Sequence, residues 1–198
     1  MSADEMTERI TETSPRSKAR IAGVFYLFTF VFGVLAIVSA SGRLVANLVA
    51  TASYVVVTLL FYDIFKPVNR SLSLLAAFFG LGGCAWAALT IFHLAPLPIN
   101  SLAFFGFYCL LIGYLIFRSA FLPRFLGVGM AIGGLGWLTF LSSPLANYLS
   151  PWNMVPGMIG EGLLTLWLLV FGVNAQRWKE QARAAGTWRS DLTSNRAS

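Results

Sequence analysis

IAGVFYLFTFVFGVLAIVSA, residues 21–40, runs for twenty residues without a charge. A helix of that length rises about 30 Å, the thickness of a bilayer's hydrocarbon core. Five further apolar stretches follow, at 44–65, 72–95, 102–120, 125–141 and 155–174, and each holds at most one Asp, Glu, Lys or Arg. Lipid offers no partner to a free backbone N–H or C=O, so spanning segments of this kind must be helical. The connections are short, which makes neighbouring spans antiparallel. The fold class expected is all-α: a polytopic membrane protein, a bundle of six transmembrane helices.

Composition agrees. Of the 198 residues, 57% are hydrophobic and 11% are charged. A soluble domain carries about 25% charged residues, spread along the chain. Here the charges gather at the two ends and in short clusters between the apolar runs. Lys and Arg accumulate on the cytoplasmic side of a membrane. All but Arg43 of the 14 Lys and Arg precede the first span, lie between the second and third or fourth and fifth, or follow the sixth. Both termini are therefore expected in the cytoplasm. The net charge of +6 forms no stripe that nucleic acid would need. The expected partner is the lipid bilayer, with no nucleic acid. Val38-Ser39-Ala40 resembles a signal-peptidase site, but a signal peptide's apolar core is about 7–15 residues, shorter than this one.

The organisation follows from these marks. Residues 1–18 read as a disordered cytoplasmic leader, 19–180 as the six-helix transmembrane domain and 181–198 as a cytoplasmic tail. AQRWKEQARAA (175–185) is able to continue the sixth helix, with Trp178 as an interface anchor, and the chain from Gly186 reads as a loose end. The longest outer connection, SSPLANYLSPWNMVPG (142–157), carries Tyr148 and Trp152 and predicts a short cap on the membrane surface.

Small residues mark where helices touch, because close backbone approach is what holds helices together in lipid. Ala76, Gly80, Cys84 and Ala88 repeat every four residues in the third span. Gly129 and Gly133, among Gly127, Gly134 and Gly136, crowd the fifth, and Gly106 and Gly113 share a face of the fourth. Packing is the expected role, a hinge in the fifth span the alternative. Cys84 and Cys109 both fall in apolar runs and read as small packing residues.

Polar residues inside the spans are the candidates for function. At 100° per residue, Asn47, Thr51, Tyr54, Thr58 and Tyr62 fall within about 80° on the second span. Gly157, Glu161, Thr165 and Gly172 fall within a similar arc of the sixth, and Tyr26, Thr29 and Gly33 share a face of the first. Such faces avoid lipid and point into a bundle. Asp63 lies off its stripe, close to Lys66, and reads as an interfacial charge.

PGMIGEGLLTLWLLVFGV, residues 156–173, places Glu161 inside the sixth span. An ionised carboxylate there costs several kcal/mol unless it is paired or wet. The partners expected at its depth are Asn47, Arg43 and His93. The candidate pocket is Glu161 with Asn47, Thr51, Tyr54, Thr165, Arg43 and His93. Two readings stand: a strut tying the second and sixth helices, or a carboxylate handling a proton or cation beside a small cavity. No H-E-x-x-H, no G-x-S-x-G, no second histidine and no Gly-rich phosphate loop occurs, so no enzyme, cofactor or metal is expected.

ARIAGVFYLFTFVFGV, FKPVNRSLSLLAAFFGLGG, FFGFYCLLIGYLIFRSAFLPRFLGV, GLGWLTFLSSPLANYLSPWN and PGMIGEGLLTLWLLVFGVNAQRW together resemble the domain-of-unknown-function 4386 family, over about residues 19–180. The resemblance implies a small bacterial inner-membrane protein with several spans. It implies no activity. The segment HLAPLPINSLAFFGF joins the third and fourth spans more directly than the family's usual longer connection.

Overall fold

The computed structural model of the chain describes residues 14–97 and 99–194. Among the described residues every regular element is helical: α1 (Pro15–Val38), α2 (Arg43–Phe65), α3 (Arg70–Ile91), α4 (Leu102–Arg118), α5 (Arg124–Leu138), α6 (Ser143–Leu149), α7 (Val155–Val170) and α8 (Ala175–Ser194). Short 3-10 turns, Thr139–Leu141 and Trp152–Met154, extend α5 and precede α7. All six apolar stretches are helices. Five are long and apolar enough to cross a membrane, and α4 is apolar but has only 17 residues.

Local chemistry sets the ends. Ser14 accepts the Ser17 amide and Pro15 occupies the first turn, so α1 begins six residues before its apolar run. The expected leader, 1–18, is therefore too long at its C-terminal edge, and its residues 1–13 lie outside the described residues. α3 stops at Ile91 instead of reaching residue 95. His93 adopts a left-handed conformation (φ 58°), and the Leu94 amide turns back to the Leu89 carbonyl at 2.8 Å. Gly172 (φ 65°) ends α7 in the same way, its amide on the carbonyls of Trp167 and Leu168. Hence 175–185 does not continue the sixth span. It opens a separate helix, α8, which runs on through Gly186 to Ser194, so the expected boundary at 180 and the loose end beyond it are both replaced by helix.

Each long helix packs against its neighbour in sequence, and α1 also packs against α7. The helices α1, α2, α3, α4, α5 and α7 therefore close a ring. Its centre is filled by Tyr26, Tyr54, Phe61, Phe65, Tyr108, Ile112, Leu115 and Leu164, all buried. Its outside is apolar too: Ile37 is 77% exposed, Phe78 68% and Leu135 60%. A monomer in water rarely exposes apolar surface on that scale, whereas a lipid-facing one must.

Glycine lets α5 sit between two partners. A Cβ on Gly113 of α4 would lie 2.7 Å from the Gly127 carbonyl of α5, and one on Gly134 would lie 2.8 Å from the Gly106 carbonyl. On the other side a Cβ on Gly160 of α7 would collide with the Gly129 carbonyl. These glycines are packing surfaces of a continuous helix.

The basic residues gather at one end. Arg16 at the start of α1 bonds the Phe171 carbonyl, Arg177 reaches the Ala120 carbonyl and Trp178 donates to the Ile64 carbonyl at 2.8 Å. Asp63 is held there by both Lys66, the neighbour expected from the sequence, and Lys18 of α1. α6 lies at the opposite end with Tyr148 and Trp152 largely exposed, as a short surface cap would.

Gly160→Ala should destabilise the protein by about 1–3 kcal/mol, the cost of overpacking a contact that cannot relax. Gly162→Ala, where a Cβ meets nothing within 4 Å, should be neutral or stabilising by up to about 1 kcal/mol. Thermal unfolding in lipid nanodiscs compares the two; equal losses would contradict the glycine-mediated packing.

Candidate functional site

The α7 helix starts after Met154, and Glu161 stands nearly two turns into it, about 9 Å along the axis. Its side chain points into the ring and is 6% exposed. Three donors converge on it. The Tyr26 hydroxyl of α1 lies 2.5 Å from Oε2, the Trp137 indole N–H of α5 lies 2.5 Å from Oε1, and the Cys109 thiol of α4 lies 3.6 Å from Oε1. Hydrogen bonds to a carboxylate are the strong kind, worth about 1.5–3 kcal/mol each for good donors. Glu161 thus joins α7 to three other helices at one level.

A single residue makes room for the indole. Gly157 precedes Glu161 by one helical turn on the same face, and a Cβ there would run into the Trp137 ring. Any larger residue would push Trp137 off the carboxylate.

Aromatic rings surround the carboxylate. Tyr26 stands edge-on to Tyr54 of α2, centroids 5.6 Å apart, and Tyr54 packs on Phe105 at 4.6 Å and Tyr108 at 5.6 Å, both of α4. The Tyr54 hydroxyl approaches the Cys109 thiol and the Tyr108 hydroxyl approaches Thr58, yet neither makes a well-formed hydrogen bond. Two buried hydroxyls with spare hydrogen-bonding capacity therefore lie inside the ring.

A cavity of about 300 Å³ reaches this cluster. Glu161, Trp137, Tyr54 and Thr29 supply its polar lining, and Phe30, Gly33, Val34, Phe105 and Met158 its apolar lining. It extends to Ile37, Leu102 and Met154, at the helix ends opposite the basic cluster.

The partners expected from the sequence are placed elsewhere. Tyr54 lines the cavity, but Asn47 and Thr51 do not. Asn47 is half-buried and seven residues, about 10 Å, up the helix from Tyr54. Arg43 is exposed at the first residue of α2, and His93 is exposed at the cap of α3. Both lie at exposed helix ends, and neither bonds Glu161, which stands about 9 Å into α7. Thr165 is buried on the face of Glu161, but its hydroxyl donates to the Glu161 backbone carbonyl at 2.8 Å. The inward face of α1, Tyr26, Thr29 and Gly33, is where the sequence places it. Trp137 and Cys109 were not among the expected partners. A buried indole N–H needs an acceptor, and that rule alone points Trp137 toward the nearest carboxylate.

Residues 99–172 match the model of the DUF4386 family, a domain of unknown function. This is the family the sequence resembles, and the matched segment is α4 to α7 with their connections. It begins in the link after α3 and includes Cys109, Trp137 and Glu161. An uncharacterised protein of Archaeoglobus fulgidus is 29% identical over 132 residues, covering 60% of this chain and 76% of its own length. No solved structure matches.

Tyr26→Phe should cost about 1.5–3 kcal/mol in the wild-type background, the value of a hydrogen bond to a charged acceptor. In a Glu161→Gln background the same change should cost about 0.5–1.5 kcal/mol, because the acceptor is neutral. A double-mutant cycle on unfolding free energy measures the difference, and no coupling would mean that Tyr26 only fills space.

Proposed function

We propose that the chain is a six-span membrane protein with both ends in the cytoplasm, and that its outer cavity binds a small lipophilic solute whose cationic head meets Glu161. One observation carries this reading. Glu161 is buried beside an open cavity, and no basic side chain pairs with it among the described residues. A carboxylate so placed supplies the counter-charge for a cation that enters from outside the protein. The apolar walls suit a hydrocarbon tail, and a volume of about 300 Å³ suits a small molecule.

The residues on the basic side of Glu161 favour binding over free passage. Phe61, Phe65, Ile112, Leu115, Ile116 and Leu168 are all fully buried and close the ring there. Transport of the solute would require this layer to open. The rival reading, an accessory protein whose polar residues only hold helices together, draws support from the three donors already on Glu161.

n-Octylamine and n-octanol separate the two readings in nanodiscs. They share a tail and differ in head charge. The amine should raise the melting temperature of wild type more than the alcohol does. Glu161→Gln should abolish that difference, and Met158→Trp, which fills the cavity, should abolish it while leaving the carboxylate. If the amine acts equally on all three proteins, it acts on the bilayer and the binding reading fails.

The topology has its own check. Ser150→Cys should react with a membrane-impermeant maleimide in intact cells, and Gly186→Cys only after lysis, with native Cys84 and Cys109 buried in both. Labelling of both from outside would put residues 150 and 186 on the same side, so that α7 would not cross the membrane.

A further inference from the structure

The basic end of the bundle carries a second recess that the Glu161 cluster does not touch. One hollow, of about 520 Å³, lies between the start of α1, the α4–α5 turn and the α7–α8 link, and is lined by Arg16, Phe121, Trp167, Phe171 and Arg177. A second, of about 530 Å³, adjoins it across Ala120, Leu122, Pro123 and Arg177, and adds Arg124 and Glu180. Arg16 lines the first, Arg124 the second, and Arg177 both. The carboxylate of the second, Glu180, accepts from Gln176 at 3.2 Å.

The arginines are fixed and only partly used. Arg16 donates through Nε to the Phe171 carbonyl at 3.3 Å, and Arg177 donates through one terminal nitrogen to the Ala120 carbonyl at 3.4 Å. Each guanidinium has five N–H groups, so most remain for a ligand that offers several oxygens. Arg124 lies over the Phe117 ring, 5.6 Å from its centroid. If capping α7 were the only role, Arg16 and Arg20, which bond its last carbonyls, would suffice. Arg177 and Arg124 sit on other elements and face the same hollow.

The side wall is aromatic. Trp167 packs on Phe171 at 4.5 Å and on Phe125 at 5.7 Å, and both phenylalanines are about half exposed on the outer surface of α5 and α7. Tryptophan favours the headgroup level of a bilayer. A cationic hollow opening sideways onto an aromatic, lipid-facing wall matches a molecule with an anionic head and apolar chains. A free phosphate would use the arginines but not the wall.

We infer that this recess holds the phosphate of an anionic phospholipid, with Arg16, Arg124 and Arg177 around the headgroup and the acyl chains against Phe125, Trp167 and Phe171. Basic pockets of this kind between membrane helices are where anionic headgroups bind. The site is independent of any ligand at Glu161.

Spin-labelled phosphatidylglycerol and phosphatidylcholine, compared by electron paramagnetic resonance in phosphatidylcholine bilayers, test this. Wild type should immobilise the glycerol lipid preferentially. The preference should fall about fivefold for each arginine removed, in Arg16→Gln and Arg177→Gln, and weaken with salt. Arg43→Gln, at the other end of the bundle, should leave it unchanged. The Arg16→Lys/Arg177→Lys protein keeps the charge but not the forked N–H groups, so it should retain only part of the preference. If the glutamine variants lose the preference only together with a fall in melting temperature in phosphatidylcholine alone, the arginines serve the fold and the inference is overturned. Glycerol phosphate at millimolar concentration should not displace the lipid. Displacement would make the ligand a soluble phosphate and overturn the lipid assignment, as would equal preference in wild type and the glutamine variants.

Discussion

A carboxylate inside an apolar bundle must be satisfied by the protein, and this constraint orders the rest of the structure. Glu161 meets it with a phenol, an indole and a thiol from three different helices. None of these can be supplied by lipid. Because hydrogen bonds tolerate only a few tenths of an ångström, α1, α4 and α5 are fixed in depth and rotation relative to α7. Apolar packing alone would specify such a register weakly, since one aliphatic residue replaces another at little cost.

The glycines then appear as a condition for that arrangement as well as for packing. α5 approaches α4 and α7 at backbone distance on opposite faces, which places the end of α5 over the start of α7. Trp137 crosses to Glu161 through the space that Gly157 leaves open. The spacing Gly157-x-x-x-Glu161 is therefore one device: the glycine admits the donor and the carboxylate receives it. The same pair reads from sequence as a small-residue face with an unexplained acid.

Much of the fold was legible because it depends on one-dimensional quantities. Apolar run length locates each helix, and 100° spacing places Tyr26, Tyr54, Glu161 and Thr165 on inward faces. The ring closure between α1 and α7 was not legible, since it depends on which faces meet. The site was legible in part. Glu161 and Tyr54, both expected in one pocket, line one cavity, while Arg43 and His93 sit at helix ends. Charge attracts attention in a sequence, but depth decides reach: the donors that arrive are uncharged residues near the middle of the bundle. Helix ends were misjudged where a cap outranked hydropathy, at Ser14, His93 and Gly172.

The two ends of the bundle answer the membrane differently, and the asymmetry bears on how a ligand would be held. At the end bearing α6 the protein keeps an apolar cavity with Glu161 in its lining. At the other end arginines sit on exposed backbone carbonyls, with an aromatic wall turned to lipid. A cation drawn to Glu161 would meet an acceptor already engaged by Tyr26 and Trp137, so its binding must compete with those donors or recruit the Tyr54 hydroxyl, which lines the same cavity. The rings of Tyr54 and Tyr108 pack the centre of the bundle, but their hydroxyls have no hydrogen-bond partner among the described residues. Burying them costs stability unless something else completes them. A ligand head at Glu161 would reach the Tyr54 hydroxyl, which lines the same cavity, and this favours the binding reading over the strut.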